Sequence, residues 1–240
     1  MDISIVIPAF EESKKIGRDI EAASGFLESS RLAGEIIVVD DGSRDGTAEA
    51  AEKIAVAPGT ILKVLRLQHH KGKGAAVRTG IKQTTGEYVM FADSGCCVPY
   101  GNVLDGLKLL KSGACDIAHG SRKIPVSIIR NPQSQYRQTC AKIFHLFVIS
   151  VMKIPAELTD TQCGFKIYKG RVARKLYGEC VTDGFMFDVE IILRALKAGC
   201  RIKEFPIEWT CDRDSRLSPA KSLWCVFSEL MTIKRVLSEK

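Results

Sequence analysis

No CxxC pair occurs among the nine cysteines, and none is spaced with a histidine as a zinc finger requires. Cys96 and Cys97 are neighbours and the others are scattered, a usage that fits reduced cytoplasmic thiols, several of them small core residues. RNP motifs and basic-region heptads are missing as well, so nucleic acid is not an expected partner. Apolar runs are short. The longest, Ile143 to Met152, is broken by His145 and Ser150 and falls well below the ~20 residues of a spanning helix. The opening MDISIVIPAF has no basic stretch leading into an apolar one, so no secretory signal is expected and the chain reads as cytoplasmic. A GxxxxGK[ST] loop is missing, which excludes the usual ATPase phosphate cradle. His69, His70, His119 and His145 have no paired spacing for a metal cage or a triad. Without repeats, low-complexity tracts or a linker, residues 1–240 read as a single domain.

What remains is an ordinary globular composition, 45% hydrophobic and 26% charged, with enough apolar material to bury a core. The net charge of +7 is spread along the chain and favours anionic partners such as phosphates or an acidic membrane surface. Strand and helix patterns alternate, which predicts an α/β fold with a largely parallel sheet covered on both faces. Strands are expected at Ile3–Ile7, Glu35–Asp40, Ile61–Leu67, Glu87–Ala92, Asp116–His119, Gly164–Tyr168 and Arg201–Trp209. Between them, helical spacing appears from Ile16 to Leu27, Thr47 to Val56, Ala75 to Gln83, Val103 to Leu110, Arg137 to Met152 and Phe187 to Leu196. A final amphipathic helix runs from Lys221 to Leu237, and Lys123–Gln135 reads as a long mobile loop.

Ligands of open α/β sheets bind beyond the carboxyl ends of the strands. Polar groups stand at four such ends: Pro8 to Glu12, Asp40-Asp41, Asp93-Ser94-Gly95 and Gly120-Ser121-Arg122. Each alone caps a turn as readily as it meets a ligand; their recurrence on successive strands marks one edge as the site. Lys71-Gly72-Lys73-Gly74 precedes a helix start, a place for phosphate or a tight turn with solvated lysines.

IVIPAFEE, VVDDGSRDGT, GKGAAVRTG, FADSG, GSR and DTQCGFKIY, in this order, resemble family 2 glycosyltransferases of the GT-A fold. The likeness is nearest the dolichyl-phosphate glucose and mannose synthases and their bacterial polyprenyl-phosphate relatives, and it runs from Ile3 to about Leu223. It implies a Rossmann-like three-layer sandwich with a mostly parallel, mixed central sheet. It further implies a nucleotide pocket formed by Pro8, Phe10 and Glu12, with Val39 and Asp41 reaching the base. Lys73, Gly74 and Ser94 fall to the nucleotide-sugar, and Asp93 to an Mg²⁺ or Mn²⁺ ion on the diphosphate. Gly95 stands where that family has a second acid, so the ion would rest on Asp93 alone. Arg122 and Arg137 resemble the arginines that flank the diphosphate and the acceptor phosphate, and Arg216 a further acceptor-phosphate residue. Asp160 resembles an acid beside the acceptor, which either acts as base or holds an arginine.

The implied reaction is transfer of a hexose, with inversion, from a nucleotide-sugar to a polyprenyl or dolichyl phosphate. DTQCGFK and Phe187-Asp188-Val189-Glu190 look more like the glucose than the mannose synthases, which implies UDP-glucose over GDP-mannose. Peripheral membrane contact through the Arg137–Met152 helix or the C-terminal helix goes with such an acceptor. Transfer to a glycan or protein hydroxyl with Asp160 as base, a catalytically silent nucleotide-sugar binder and a nucleotidyltransferase are the other readings.

Overall fold

The computed structural model describes residues 1–132, 135–211 and 219–238. The chain opens with β1 (Ile3–Ala9), α1 (Ile16–Ser29), β2 (Gly34–Asp40), α2 (Thr47–Glu52), β3 (Ile61–Arg66), α3 (Lys73–Lys82) and β4 (Tyr88–Ala92). A short 3₁₀ turn, Tyr100–Asn102, leads into α4 (Val103–Lys111), β5 (Ile117–Ser121), β6 (Ile128–Asn131) and α5 (Gln135–Met152). There follow β7 (Phe165–Lys169), α6 (Gly170–Glu179), α7 (Phe187–Lys197), β8 (Ile202–Pro206), β9 (Glu208–Thr210) and α8 (Pro219–Ser238).

Seven strands form one sheet in the order β3-β2-β1-β4-β7-β5-β8, all parallel except β7, which pairs antiparallel with both β4 and β5. Alternation along β1 and β2 splits the core into layers. Ile3, Ile5, Ile7, Ile36 and Val38 pack with α1 and α4 on one face. Val6, Ile37 and Val39 pack with α3, α6 and α7 on the other. A third cluster joins Val148 and Met152 of α5, Val189 and Ile192 of α7, and Leu230 and Ile233 of α8. The expected mixed α/β sandwich is thus present. Helix α6 lies where no helix was expected, and the expected loop 123–135 contains β6, which pairs parallel with β9 in a separate two-stranded sheet. The expected strand Arg201–Trp209 divides at Ile207 between the two sheets.

Charges buried at the amino end of the sheet are satisfied there. Glu35 on β2 accepts from Ser4 Oγ at 2.6 Å and Lys63 Nζ at 2.7 Å, and from the Thr85 amide at 2.7 Å. Burial pushes its carboxyl up, but these donors outweigh it and hold the group at about 2. The seven cysteines whose side chains are described are free thiols. Among the described residues no helix is long and apolar enough to cross a membrane.

Candidate active site

Because β1, β2, β4 and β5 run the same way, their carboxyl ends share one edge of the sheet, and the segment before β7 arrives at that edge too. Over the ends of β1 to β3 lies a cleft of about 590 Å³, lined by Phe10, Glu11, Ser43, Arg44, Arg66 and His70 among others. That volume suits a nucleoside. The Phe10 ring stacks on His70 with centroids 4.0 Å apart, so a histidine read from sequence as plain loop forms part of the aromatic wall. Pro8 is buried within β1. Glu11, at φ 55°, belongs to the lining and accepts the Arg44 amide at 2.9 Å. Glu12 stands beyond it, its amide donating to Thr47 Oγ1 at 2.8 Å and its carboxylate 3.9 Å from Lys15 Nζ.

Two expected base contacts are corrected. Val39 has no exposed surface and packs against α3, where a Cβ on Gly80 would come within 2.9 Å of it. A strand buried on both faces gives no sequence clue to which way each residue points, so its place at the strand end was misleading. Asp41 is also buried, and its carboxylate faces the glycine loop instead of the cleft. Its oxygens accept the amides of Lys71 and Gly72 at 2.9 and 2.8 Å, and Nδ1 of His70 lies 2.8 Å away. Asp41 therefore positions the loop that leads into α3. Its neighbour Asp40 accepts the Ser43 amide at 3.0 Å, closing the DGS turn.

The glycine loop is packed from behind. A Cβ on Gly74 would lie 2.6 Å from the Thr182 carbonyl and 2.8 Å from Phe187 Cβ, so only glycine lets α3 approach the 182–187 segment. The Ala75 amide donates to the Asp183 carbonyl at 3.1 Å. What faces the edge is the Lys73 side chain, whose Nζ is 2.6 Å from Asp93 Oδ1. Burial alone would depress that ammonium, but Asp93 and Asp188 outweigh it and hold it above the usual lysine value. Behind the pair, Lys166 and Asp188 form a buried ion pair, and Lys166 Nζ also donates to the Thr161 carbonyl at 3.0 Å. Ser94 and Gly95 continue from Asp93 in a loop fixed by Asp19 of α1, which accepts the amides of Gly95 at 2.9 Å and Cys96 at 2.7 Å. Neither Asp19 nor Lys166 was singled out from sequence.

On the far side, Arg122 meets Asp160 as a fork: Nε to Oδ2 and Nη2 to Oδ1 are both 2.7 Å, and the Arg122 amide donates to Oδ2 at 3.0 Å. The guanidinium also lies 5.3 Å over the Trp209 ring. Burial pushes Asp160 up, yet Arg122 outweighs it and holds the carboxyl at about 2. Asp160 thus holds an arginine. Arg122 in turn feels the charge of Asp93 across the site. Arg137 lies in the first turns of α5 with its side chain outside the described residues, and Arg216 falls outside them altogether.

The model of Glycosyl transferase family 2 matches residues 4–176, which hold Phe10, Lys73, Asp93, Arg122 and Asp160. The chain belongs to that family. This family 2 glycosyltransferase is 29% identical over 242 residues to the dolichyl-phosphate beta-glucosyltransferase of Dictyostelium discoideum, covering 97% of this chain and 73% of the relative. It is 31% identical over 231 residues to that of Drosophila melanogaster, covering 91% and 70%. In fold it is similar to glucosyl-3-phosphoglycerate synthase of Mycobacterium tuberculosis, solved with Mn²⁺, UDP and glucosyl-3-phosphoglycerate, at TM-score 0.70 and 16% identity. That match covers 97% of this chain and 79% of the solved one.

A divalent ion on the donor diphosphate was expected at Asp93, and the residues present do not fit one. Gly95 offers no side chain, Lys73 already occupies Asp93 Oδ1, and Asp19 is spent on the loop amides. No group of three or more His, Cys, Asp or Glu side chains that could hold an ion occurs among the described residues. A hard cation prefers one or two open carboxylates beside phosphate oxygens.

Asp93 is set against backbone: its amide donates to the Gly164 carbonyl at 2.9 Å, and a Cβ on Gly164 would lie 2.0 Å from its carboxyl carbon. Gly164→Ala is expected to lower kcat/KM by about tenfold to a hundredfold, as displaced catalytic groups do. Because Asp93 is partly exposed and can swing aside, the melting temperature should change little. Full activity in this variant would show that the position of Asp93 does not matter.

Proposed function

We propose that this glycosyltransferase moves glucose from UDP-glucose, in preference to mannose from GDP-mannose, onto a polyprenyl or dolichyl phosphate with inversion at the anomeric carbon. The Arg122–Asp160 fork carries the reading. A hydroxyl acceptor needs a base to take its proton. Asp93, Asp160 and Asp188 are held by Lys73, Arg122 and Lys166, and Glu204 beside them accepts from Thr159 Oγ1 at 2.6 Å and the Asp160 amide at 2.7 Å. A phosphate monoester, with a second pKa near 6, is mostly dianionic at neutral pH and needs no base. The activity named for the Dictyostelium and Drosophila relatives supports the same acceptor.

In this reading the Phe10–His70 cleft takes the base, and Lys73 and Arg122 stabilise charge on the diphosphate. The acceptor oxygen forms its bond to the anomeric carbon in line as the bond to the diphosphate breaks, and the electron pair leaves with the nucleoside diphosphate. Next to Arg122, Lys123 lines a second cleft of about 390 Å³ with Ile124, Pro125, Leu158 and Ile202. Lys203, Glu157 and Glu204 line it too; in this reading the two lysines face a phosphate and the apolar residues the first prenyl units. Ile143, Leu146 and Phe147 of α5 and Phe227 and Met231 of α8 expose apolar surface that supports peripheral contact with the cytoplasmic face of a membrane.

The test uses the full chain with labelled UDP-glucose or GDP-mannose and anionic liposomes holding dolichyl phosphate. The expected outcome is a labelled lipid from UDP-glucose, formed by protein that floats with the vesicles. Glucose transferred to water-soluble hydroxyl acceptors and none to lipid would refute the acceptor.

A further inference from the structure

We propose that the Lys73 ammonium stands in for a divalent ion at the donor diphosphate, so that this chain binds its nucleotide without Mg²⁺ or Mn²⁺. The inference rests on the reading of the site as one for a nucleoside diphosphate sugar, and it goes beyond that reading by naming which cation faces the leaving group.

Lys73 is the first residue of α3, so its charge adds to the positive end of a ten-residue helix. Its stem is held in place: Nζ lies 5.9 Å over both the Phe91 and Phe187 rings, and 2.6 Å from Asp93 Oδ1. An ammonium has three donors. The ion pair with Asp93 engages at most one, which leaves at least two for phosphate oxygens, and the side chain is 21% exposed. The cation is therefore fixed on the same carboxylate that would otherwise take the metal.

The loop after β4 closes the alternative. Gly95, at φ +96°, has no side chain to ligate an ion, and its amide donates to Asp19 at 2.9 Å. Asp19 itself is buried under Gly95 and Cys96, with the Cys96 thiol 2.9 Å from Oδ1. No second carboxylate can swing towards Asp93 from this loop without breaking those bonds. An ion bound to Asp93 Oδ1 at an Mg²⁺–oxygen distance of about 2.1 Å would also stand within about 5 Å of the ammonium, with like-charge repulsion in a partly buried site. Lys73 and a divalent cation exclude one another there.

Titration calorimetry of the full chain with UDP and with GDP, in chelator and in Mn²⁺, decides it. The expected result is a Kd for the preferred nucleotide that differs by less than about threefold between the two buffers. Lys73→Met is expected to weaken binding in chelator by about tenfold or more, the loss of a charged hydrogen bond, while Lys73→Arg retains most of it. A Kd that tightens tenfold or more on adding Mn²⁺ to the unaltered protein overturns the inference and leaves the nucleotide reading standing. No heat from either nucleotide in either buffer overturns that reading, and the inference with it. The comparison on the unaltered chain holds even if a Lys73 variant fails to fold.

Discussion

Arg122→Ala should lower kcat by about two to three orders of magnitude, the usual loss when one fixed donor to a developing anion is removed. The same change should also reduce stability. Asp160 is only 2% exposed, and without the guanidinium its carboxylate is left buried with the Arg122 amide and the charge of Lys123 as its remaining company. Leaving one partner of such a pair typically costs about 3–5 kcal/mol. Activity and folding therefore fall together in Arg122→Ala, and Arg122→Lys is needed to separate them. Lysine keeps the charge but loses the fork, so stability should largely return while kcat stays well below that of the unaltered enzyme. Turnover at the original rate in a folded Arg122→Ala protein would remove Arg122 from the mechanism.

The same pair fixes a pH dependence. The folded carboxyl of Asp160 is held at about 2 against an ordinary value of 3.8. Its contribution is complete above the ordinary value and disappears as pH falls towards the folded one. Melting curves of the unaltered protein and Asp160→Asn should therefore differ at neutral pH and converge as pH falls from about 4 to about 2. Loss of activity in Asp160→Asn does not by itself reveal a base, because the amide also loosens Arg122. The pH–rate profile does. If Asp160 only positions Arg122, the variant has lower kcat at all pH values and no change in the shape of the curve.

The strand ends were legible in the sequence because short apolar runs closed by Asp, Gly or Ser keep their meaning whatever the surroundings. Phe10, Lys73, Asp93, Arg122 and Asp160 accordingly come to one edge. Direction and partner were not legible. β7 reads as the same apolar run in either orientation, so its antiparallel insertion was invisible. Pro206 has no amide to donate, and the chain leaves the main sheet there and pairs with β6 instead. Helix α6 was missed because its buried stripe, Gly170, Ala173, Leu176 and Tyr177, is narrow and begins with two small residues. Buried charges were hardest. Asp19, Lys166 and Asp188 look in sequence like solvated side chains, and only the fold brings each to its partner.

The pair behind the site gives the largest expected change in stability. Lys166 and Asp188 are 1% and 4% exposed, and Asp188 stands in the first turn of α7. Asp188→Asn leaves an ammonium in the core with the Thr161 carbonyl and, 5.6 Å away, the Phe91 ring. A loss of about 3–5 kcal/mol follows, which in a chain of this size lowers the melting temperature by roughly 10 °C or more. Lys166→Met should be milder. Asp188 would still have Lys73 nearby, and burial already pushes its carboxyl up, which makes it easier to neutralise by protonation. The double variant Lys166→Met with Asp188→Leu removes both charges and fills the space with apolar groups, so it should melt well above Asp188→Asn. Calorimetric melting of all three separates the two explanations of this pair. If the double variant is as unstable as Asp188→Asn, the ion pair stabilises the fold in its own right relative to apolar groups. If it recovers, the pair's value lies in the Lys73–Asp93 contact it supports, and UDP binding should weaken in a protein that has regained its stability.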